Sequence, residues 1–271
     1  MREPVIKTGE RMLPERIESG EEYSIYLRHL FVYEFAKDLL PKDGYILEVG
    51  CGEGYGTSLL SQNVRKIVGL EVDKKIVFCA LSKYETRNTS FQLYNGTEIP
   101  YEDAVFDGVV SFQVVEHIRN DINFIAEIFR VLKKKGIFII STPNKTYRLR
   151  PNQKPWNRFH VREYYPSELE DLLKTKFSDV RILGLKGNEE INKAEFKRIK
   201  QNLRIISLDP LNIRGLIPLS IEASLLGVIR RIIKGRSETK TDFGMKYSID
   251  DFSLTVEDVE HSLDLIGIGE K

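Results

Sequence analysis

Five short runs rich in β-branched and aromatic residues, separated by helical stretches, constrain the fold of this 271-residue chain most strongly. They are YILEV (45–49), KIVGLEV (66–72), TSFQLY (89–94), FDGVVSF (106–112) and GIFIIST (136–142). Between the last two, INFIAEIFRVLKKK has an apolar helical stripe and ends in lysines before Gly136, which is typical of a helix C-terminus. Strands that alternate with helices form a parallel sheet covered on both faces, and such sheets bind ligands at the carboxyl ends of their strands.

The flanking segments predict additions to this doubly wound α/β core. Residues 1–40 read as an N-terminal helical segment, because an amphipathic stretch from Glu21 to Leu40 stops at Pro41. Residues 41–187 form the predicted core, which ends in the helix ELEDLLKTKF and a strand at 179–187. Residues 261–271 hold a last apolar strand, so residues 188–260 are predicted to form a cap inserted before it.

The turn after the first strand, LEVGCGEGYG (47–56), is unusually rich in glycine. Gly50, Gly52 and Gly54 form G-x-G-x-G, whereas the dinucleotide fingerprint G-x-G-x-x-G fails because Tyr55 stands at its third glycine. The phosphate-loop sequence G-x-x-x-x-G-K-[ST] is also missing. Glu48, just before the loop, would repel a phosphate and attract an ammonium group. The loop therefore indicates a ligand that brings an amine to it and little phosphate.

A second acid, Glu71, ends the second strand about 20 residues after the loop, where a carboxylate can accept hydrogen bonds from both ribose hydroxyls. A ligand with an amine, a ribose and little phosphate fits S-adenosylmethionine. A glycine-rich turn alone could equally serve a tight strand-to-helix connection, and an acid at a strand end could simply be solvated. The prediction of a cofactor site depends on the two features occurring together.

Four ordered motifs resemble the class I S-adenosylmethionine-dependent methyltransferases. They are ILEVGCGEGYG, VGLEVDKK, YNGTEIPYEDAVFDGVVSFQVVEHI and VLKKKGIFIISTPN. The resemblance implies a Rossmann-like, doubly wound sheet of seven strands, mostly parallel, whose antiparallel last strand lies beside strand five. It also implies S-adenosyl-L-methionine as the cofactor.

The same resemblance assigns cofactor contacts to the first two motifs. The backbone of the glycine loop, with Cys51 counted among its contacts, would approach the methionine and ribose portions. Glu48 would lie near the amino group, Glu71 would bind the ribose hydroxyls, and Val72 would pack against the adenine.

Further cofactor contacts are implied by the later motifs and by the N-terminal helix. Asn95 stands where the family often has an aspartate, so it would accept a weaker, uncharged hydrogen bond from the adenine amine. Gly96 and Thr97 complete that turn, and Gln113 follows strand four, where the methionine pocket is lined. Arg28 would bind the methionine carboxylate, and the alternative for it is an ordinary arginine on the helix surface.

Two histidines are the candidate catalytic residues. His117, in VVEHI, and His160, in NRFHVREYYP, follow strands four and five at the ligand end, and imidazoles titrate near neutral pH as an oxygen-directed base should. Each could instead be structural, one at a helix start and the other in a loop elbow. Glu116 either orients a histidine or lies exposed. No metal site is expected, because Asp103 and Asp107 read as turn and strand-start acids.

The acceptor is indicated only by a narrower resemblance. TGERMLPER, STPN and FHVREYYPSEL resemble a methyltransferase subgroup found with sugar-assembly genes, which implies O-methylation of a sugar hydroxyl on a glycan or its precursor. Quinone-type methyltransferases share the EHI turn, so a small aromatic or polyprenyl acceptor is one alternative, and a non-catalytic S-adenosylmethionine-binding module is another. A net charge of +1 and the missing NPPY-like tetrapeptide argue against a nucleic acid acceptor.

A basic segment lies within the predicted cap. Residues 193–236 contain ten Lys/Arg and three Asp/Glu, a net charge of +7, so the rest of the chain carries −6 within the total of +1. Residues 218–236 could form a helix packed on the sheet, bind a phosphorylated substrate, or touch an anionic membrane peripherally. With no apolar leader, no long apolar run and two isolated cysteines, a cytoplasmic location is predicted, and the oligomeric state stays open.

Overall fold

The computed structural model describes residues 14–17, 19–150, 153–207 and 246–271, which form one mixed sheet flanked by helices. Its eight strands are β1 (Tyr45–Val49), β2 (Lys66–Glu71), β3 (Thr89–Leu93), β4 (Phe106–Phe112), β5 (Leu132–Pro143), β6 (Asp179–Gly187), β7 (Phe252–Thr255) and β8 (Asp264–Glu270). The strand order is β3-β2-β1-β4-β5-β8-β6-β7. Neighbouring strands from β3 to β5 pair in parallel, and β8 runs antiparallel to both β5 and β6. The α/β fold and the antiparallel strand beside β5 are confirmed.

The predicted count of seven strands is wrong, because the described residues contain eight. The additional strand, β7, pairs antiparallel with β6 at the edge of the sheet and comes from the segment predicted as cap. Its sequence, FSLT, has only four residues, too few for a clear alternation of apolar and polar side chains. The segment 188–260 is therefore not wholly separate from the sheet.

Seven α-helices of the described residues connect and cover the strands. They are α1 (Gly20–Leu39), α2 (Tyr55–Ser61), α3 (Lys74–Tyr84), α4 (Asp121–Val131), α5 (Lys145–Arg148), α6 (Pro166–Lys174) and α7 (Glu189–Ser207). Apolar residues of α4 and α6 form one core cluster with one face of the sheet, and those of α1, α2 and α7 form a second cluster with the other face. Burial on both faces explains why the central strands are continuous apolar runs.

The predicted lysine-rich end of the helix before β5 is also wrong. The helix α4 ends at Val131, and Lys133 and its two following lysines belong to β5. Leu132 pairs with Phe106 of β4, and the Nζ atom of Lys133 lies 2.8 Å from the Oδ1 atom of Asp107. Pairing between strands outweighs the local preference of the lysines for a helix end.

Parts of the sequence-based hypotheses fall outside the described residues. These parts are the proposed membrane-contacting segment 218–236 and most of the TGERMLPER motif, so the predictions made for them stay predictions. Among the described helices, none combines the length and the apolar character needed to span a bilayer.

Candidate functional site

The predicted site residues follow the carboxyl ends of the parallel strands and lie along one edge of the sheet. The glycine loop follows β1, Glu71 ends β2, the Asn95 turn follows β3, and Gln113 follows β4. This is the edge at which parallel α/β sheets bind ligands.

The three glycines of the loop all have left-handed backbone conformations. The φ angles of Gly50, Gly52 and Gly54 are 81°, 53° and 87°. A Cβ atom on Gly50 would come within 2.3 Å of a methyl group of Val114, whereas one on Gly52 would meet no atom within 4 Å. Gly50 is therefore needed for packing, while the backbone at Gly52 faces open space that a ligand can approach.

The side chain of Cys51 points away from this open space. It is 4% exposed and packs beneath the loop with Phe91 and residues of α3. Its backbone N–H donates to the carbonyl of Leu70, which joins the loop to β2. The predicted contact of Cys51 with the cofactor would therefore have to come from its backbone.

Glu48 is a buried residue whose carboxylate supports the loop from below. Its Oε1 atom accepts a hydrogen bond of 2.6 Å from the hydroxyl of Tyr33, and its Oε2 atom accepts one of 2.5 Å from the hydroxyl of Thr57. Burial raises the pKa of Glu48 more than these two hydrogen bonds lower it. With both oxygens engaged, Glu48 ties α1 and α2 to the end of β1, and the structure gives no contact that supports its predicted role at the cofactor amino group.

Glu71 connects the ends of β1 and β2. Its Oε2 atom accepts a hydrogen bond from the N–H of Gly52 at 3.1 Å, and its Oε1 atom accepts from the N–H groups of Val72 at 2.9 Å and Asp73 at 3.1 Å. A carboxylate has about four acceptor positions, so about one remains for a ligand. Glu71 thus lies where a residue that binds the ribose is expected. As long as its three backbone hydrogen bonds persist, its carboxylate can accept a hydrogen bond from one ribose hydroxyl.

The residues predicted for the adenine lie together beyond Glu71. Val72 is 55% exposed, and a Cβ atom on Gly96 would lie 3.3 Å from its side chain. The Oδ1 atom of Asn95 accepts hydrogen bonds from the N–H and hydroxyl of Thr97 and the N–H of Glu98, at 2.8–3.0 Å. The backbone donors fix which side-chain atom is the oxygen, and this oxygen already accepts three hydrogen bonds. The structure therefore gives no support for acceptance from the adenine amine, and the NH₂ group of Asn95 is the part left to donate to a ligand.

Gln113 and Arg28 lie near the ends of the central strands. Gln113 has a φ angle of 57°, and its backbone N–H donates to the carbonyl of Ser141. Arg28 is buried, which excludes the surface alternative, and its guanidinium lies 3.0 Å from Asp264 and 3.6 Å from Glu195. A methionine carboxylate at Arg28 would have to compete with these two acids.

The two histidines predicted as catalytic are brought together. Their ring centroids lie 4.9 Å apart with the planes at 86°, although 42 residues separate them in the chain. The Nδ1 atom of His117 lies 3.1 Å from the carbonyl oxygen of Phe159. Because a carbonyl can only accept, Nδ1 carries the hydrogen and donates, and in the neutral imidazole of His117 the lone pair is on Nε2. The Nδ1 atom of His160 lies 2.8 Å from the Oε1 atom of Glu163.

Charged neighbours fix His160. The Oε2 atom of Glu163 lies 3.1 Å from the Nε atom of Arg148, and both side chains are buried. Burial acts to raise the pKa of Glu163, but Arg148 and His160 outweigh it and lower that pKa. Burial lowers the pKa of His160 more than Glu163 raises it, so its imidazole is neutral near pH 7 and donates through Nδ1.

Glu116 lies in the same cluster and is 1% exposed, so the exposed alternative is wrong. Its Oε2 atom accepts a hydrogen bond of 3.0 Å from the hydroxyl of Thr142. Burial raises the pKa of Glu116 to about 8 against the opposing effect of its hydrogen bonds. One potential ligand atom from each of Glu116, His117 and His160 lies within 4.8 Å of the other two, an arrangement that the sequence did not predict.

Several residues that support the site were missed from the sequence. Tyr33, Thr57, Thr142, Arg148 and Glu163 hold Glu48 or the histidine cluster. Thr142 and Glu163 lie within the quoted motifs STPN and FHVREYYPSEL, but no role was assigned to either residue. Asp103 and Asp107, by contrast, bond to Arg130 and Lys133 near the amino end of β4, as expected for a turn acid and a strand-start acid.

The comparisons with known proteins find methyltransferases. Residues 47–140 match the family model described as a methyltransferase domain. A probable S-adenosylmethionine-dependent methyltransferase of Mycolicibacterium smegmatis is 38% identical over 169 residues, which cover 62% of this chain and 63% of that protein. A mitochondrial ubiquinone biosynthesis O-methyltransferase of Dictyostelium discoideum is 34% identical over 122 residues, which cover 40% of this chain and 38% of that protein. The chain thus spans less than two thirds of the length of these relatives.

A solved structure confirms the fold over a greater length. An S-adenosylmethionine-dependent methyltransferase of Thermotoga maritima aligns with a TM-score of 0.58 over 97% of this chain and 98% of that one, at 15% identity. Residues 47–140 are thus similar to the methyltransferase domain, and this similarity implies S-adenosyl-L-methionine as the cofactor.

Proposed function

We propose that this protein transfers the methyl group of S-adenosylmethionine to an oxygen atom, and that the acceptor is a sugar hydroxyl of a glycan or its precursor. The observation that carries the proposal is the pairing of His117 with His160 beside the cofactor edge, one turn after Gln113. The open backbone at Gly52, the carboxylate of Glu71 and the exposed Val72 suit the cofactor's methionine, ribose and adenine parts in turn.

The reaction needs little from the protein beyond alignment and removal of one proton. The acceptor oxygen forms a bond to the methyl carbon while the carbon–sulfur bond breaks, and the sulfonium becomes the thioether of S-adenosylhomocysteine. The hydroxyl proton is lost in the process, and the histidine cluster is where we propose that this occurs. His160, neutral and held through Nδ1 by Glu163, has its Nε2 lone pair available.

The surroundings of the histidines favour a polar acceptor. Arg148, Glu163 and Glu116 lie in or beside the cluster, and Arg162 and Asp121 form an ion pair of 3.0 Å next to it in the chain. Of these groups, Arg162 is the accessible one, with its side chain 44% exposed, and it can donate hydrogen bonds to a polyhydroxylated sugar. These charged groups would leave a quinone or polyprenyl acceptor with few apolar contacts, although the partial similarity to a ubiquinone biosynthesis O-methyltransferase favours that alternative.

An acceptor panel tests the proposal. The purified protein is incubated with S-adenosylmethionine and, separately, free sugars, nucleotide sugars, lipid-linked sugars and catechol-type quinone precursors, and mass spectrometry detects methylated products. We expect product with a sugar acceptor and large losses of turnover in His117→Ala and His160→Ala. His261→Ala, which changes an exposed histidine paired with Asp258, is the matched control.

Three other outcomes would contradict part or all of the proposal. Product only from quinone precursors would reject the sugar. Cofactor binding with no product from any acceptor would favour a non-catalytic binding module. Unchanged turnover in both histidine variants would remove the catalytic assignment of the cluster.

A further inference from the structure

We propose that Glu116, His117 and His160 form a binding site for a divalent transition-metal ion. One donor atom from each residue lies within 4.8 Å of the others, and two imidazoles with one carboxylate are a set that zinc, iron, cobalt and manganese accept. Donors at about 2.1 Å from one ion lie no more than about 4.2 Å apart, so binding would draw the three side chains together by small rotations. The existence of this site does not depend on the proposed function, although its use would.

The hydrogen bonds behind the two histidines are those of metal ligands. His117 donates from Nδ1 to the carbonyl of Phe159, and His160 is held at Nδ1 by Glu163. Metal-binding histidines usually donate their second ring N–H to a carbonyl or a carboxylate, which fixes the tautomer and aims the other nitrogen at the ion. Here both kinds of partner occur, and both Nε2 atoms carry the lone pair that a ligand needs.

The backbone that carries the three ligands is also held in place. Glu116 and His117 lie in a short 3₁₀ turn, Val115–His117, directly after the end of β4. The carbonyl of Glu116 accepts hydrogen bonds from the N–H groups of Val161 and Arg162, which follow His160. The hydroxyl of Thr142, at the end of β5, donates to the Glu116 carboxylate. Two strand ends and the loop after β5 therefore meet at the three ligands.

A metal ion bound by three protein groups keeps coordination positions for other ligands, as catalytic sites do. The side chain of His160 is only 7% exposed, so an ion would reach the cluster past His117, which is half-buried. Under the proposed function, an acceptor hydroxyl could take one open position, where the ion would lower its pKa and so promote loss of its proton to water. With an ion bound, the histidines would act as its ligands and the proton would pass to water, whereas in the metal-free protein His160 is the proposed proton acceptor.

Cobalt binding tests the site without any methyl acceptor. The whole chain, first treated with a chelator and dialysed, is titrated with Co²⁺ and followed by visible absorption, and zinc binding is measured by calorimetry. We expect one ion per chain for the wild type and no measurable binding for Glu116→Gln and His160→Ala. Thr142→Val, which keeps the side-chain shape and removes only the hydrogen bond to Glu116, should weaken binding about 10- to 100-fold. His261→Ala should bind like the wild type.

The controls separate a failed fold, a failed site and a failed function. Calorimetric binding of S-adenosylhomocysteine reports whether each variant is folded, and Thr142→Val and Glu116→Gln provide conservative changes where His160→Ala does not fold. No saturable binding by the wild type, or equal binding by folded ligand variants, would overturn the metal site. Metal binding without methyl transfer to any acceptor would leave the site standing and contradict the proposed function.

Discussion

The carboxylate of Glu71 accepts a hydrogen bond from the backbone N–H of Gly52 at 3.1 Å, across the ends of two neighbouring strands. Its other oxygen accepts from Val72 and Asp73, which follow it in the chain. One acid thus shapes the glycine loop and also faces the place expected for the ribose. Its removal would affect both the loop and the cofactor.

Glu71→Ala should weaken binding of S-adenosylmethionine and S-adenosylhomocysteine at least about tenfold. The change removes a charged hydrogen bond to the ligand, which contributes about 1.5–3 kcal/mol, and leaves the N–H of Gly52 without its acceptor. Calorimetric titration of both ligands gives the dissociation constants, and Glu85→Ala, which changes an exposed acid at the end of α3, is the control. Equal affinities of Glu71→Ala and the wild type would contradict the ribose assignment.

Two glycine substitutions in the loop should have different effects. Gly50→Ala should destabilise the protein strongly, because the new methyl group would overlap Val114 in addition to the strained φ of 81°. Gly52→Ala carries only the backbone strain, of order 1 kcal/mol, but places its methyl group in the open space by the loop. It should therefore lose cofactor affinity more than stability. Thermal unfolding with and without S-adenosylhomocysteine checks both, and equal unfolding temperatures of the two variants would contradict the distinction.

The core strands could be predicted because each is a buried run whose own residues show its character. The bounds of β4 and β6 agree with the sequence prediction, and those of β1 to β3 differ by one residue at most. The start of β5 after Val131 could not be assigned locally, because it depends on the pairing of Leu132 with Phe106. Long-range pairing of this kind leaves no periodic signal in the segment itself.

The candidate site could be predicted only to the level of motifs. The loop, Glu71 and the two histidines occupy one edge of the sheet as expected, because parallel strands carry their following residues to a common edge. The Tyr33 partner of Glu48 could not be predicted, since it lies on another element. Glu163 stands three residues after His160 in a quoted motif, but the sequence does not show that the two side chains meet. The hydrogen bonds of Asn95 could not be predicted either, because a local turn uses the side-chain oxygen that the resemblance assigned to the ligand.

Tyr33→Phe should lower the free energy of unfolding by about 1–3 kcal/mol, because it leaves one oxygen of the buried Glu48 without its 2.6 Å hydrogen bond. The same substitution in a Glu48→Gln background should cost less, since a neutral amide is less expensive to leave unpaired than a charged group. Urea unfolding of the four proteins in this double-mutant cycle gives the coupling energy. A coupling near zero would mean that the hydroxyl contributes nothing through Glu48.

Glu195 should make stability depend on pH in the acid range. It lies on α7 between Arg198, whose Nε atom donates to it at 2.7 Å, and Arg28, at 3.6 Å. Burial acts to raise the pKa of Glu195, but Arg198, Arg28 and Arg148 outweigh it and hold that pKa at about 2. Because the unfolded chain binds the proton at its ordinary pKa of about 4.3, the contribution is complete above that pH and is lost as the pH falls towards 2.

Glu195→Gln should therefore lower the free energy of unfolding at pH 7 by on the order of 3 kcal/mol and flatten its decline between pH 5 and pH 3. Urea unfolding at a series of pH values measures both effects. Glu189→Gln, which changes an exposed acid of the same helix paired with Lys193, should leave the wild-type curve unchanged. If the free energy of unfolding fell with pH in the same way for Glu195→Gln and the wild type, the acid-range stability would come from other carboxylates. The contacts of α7 with α1 would then not depend on the charge of Glu195.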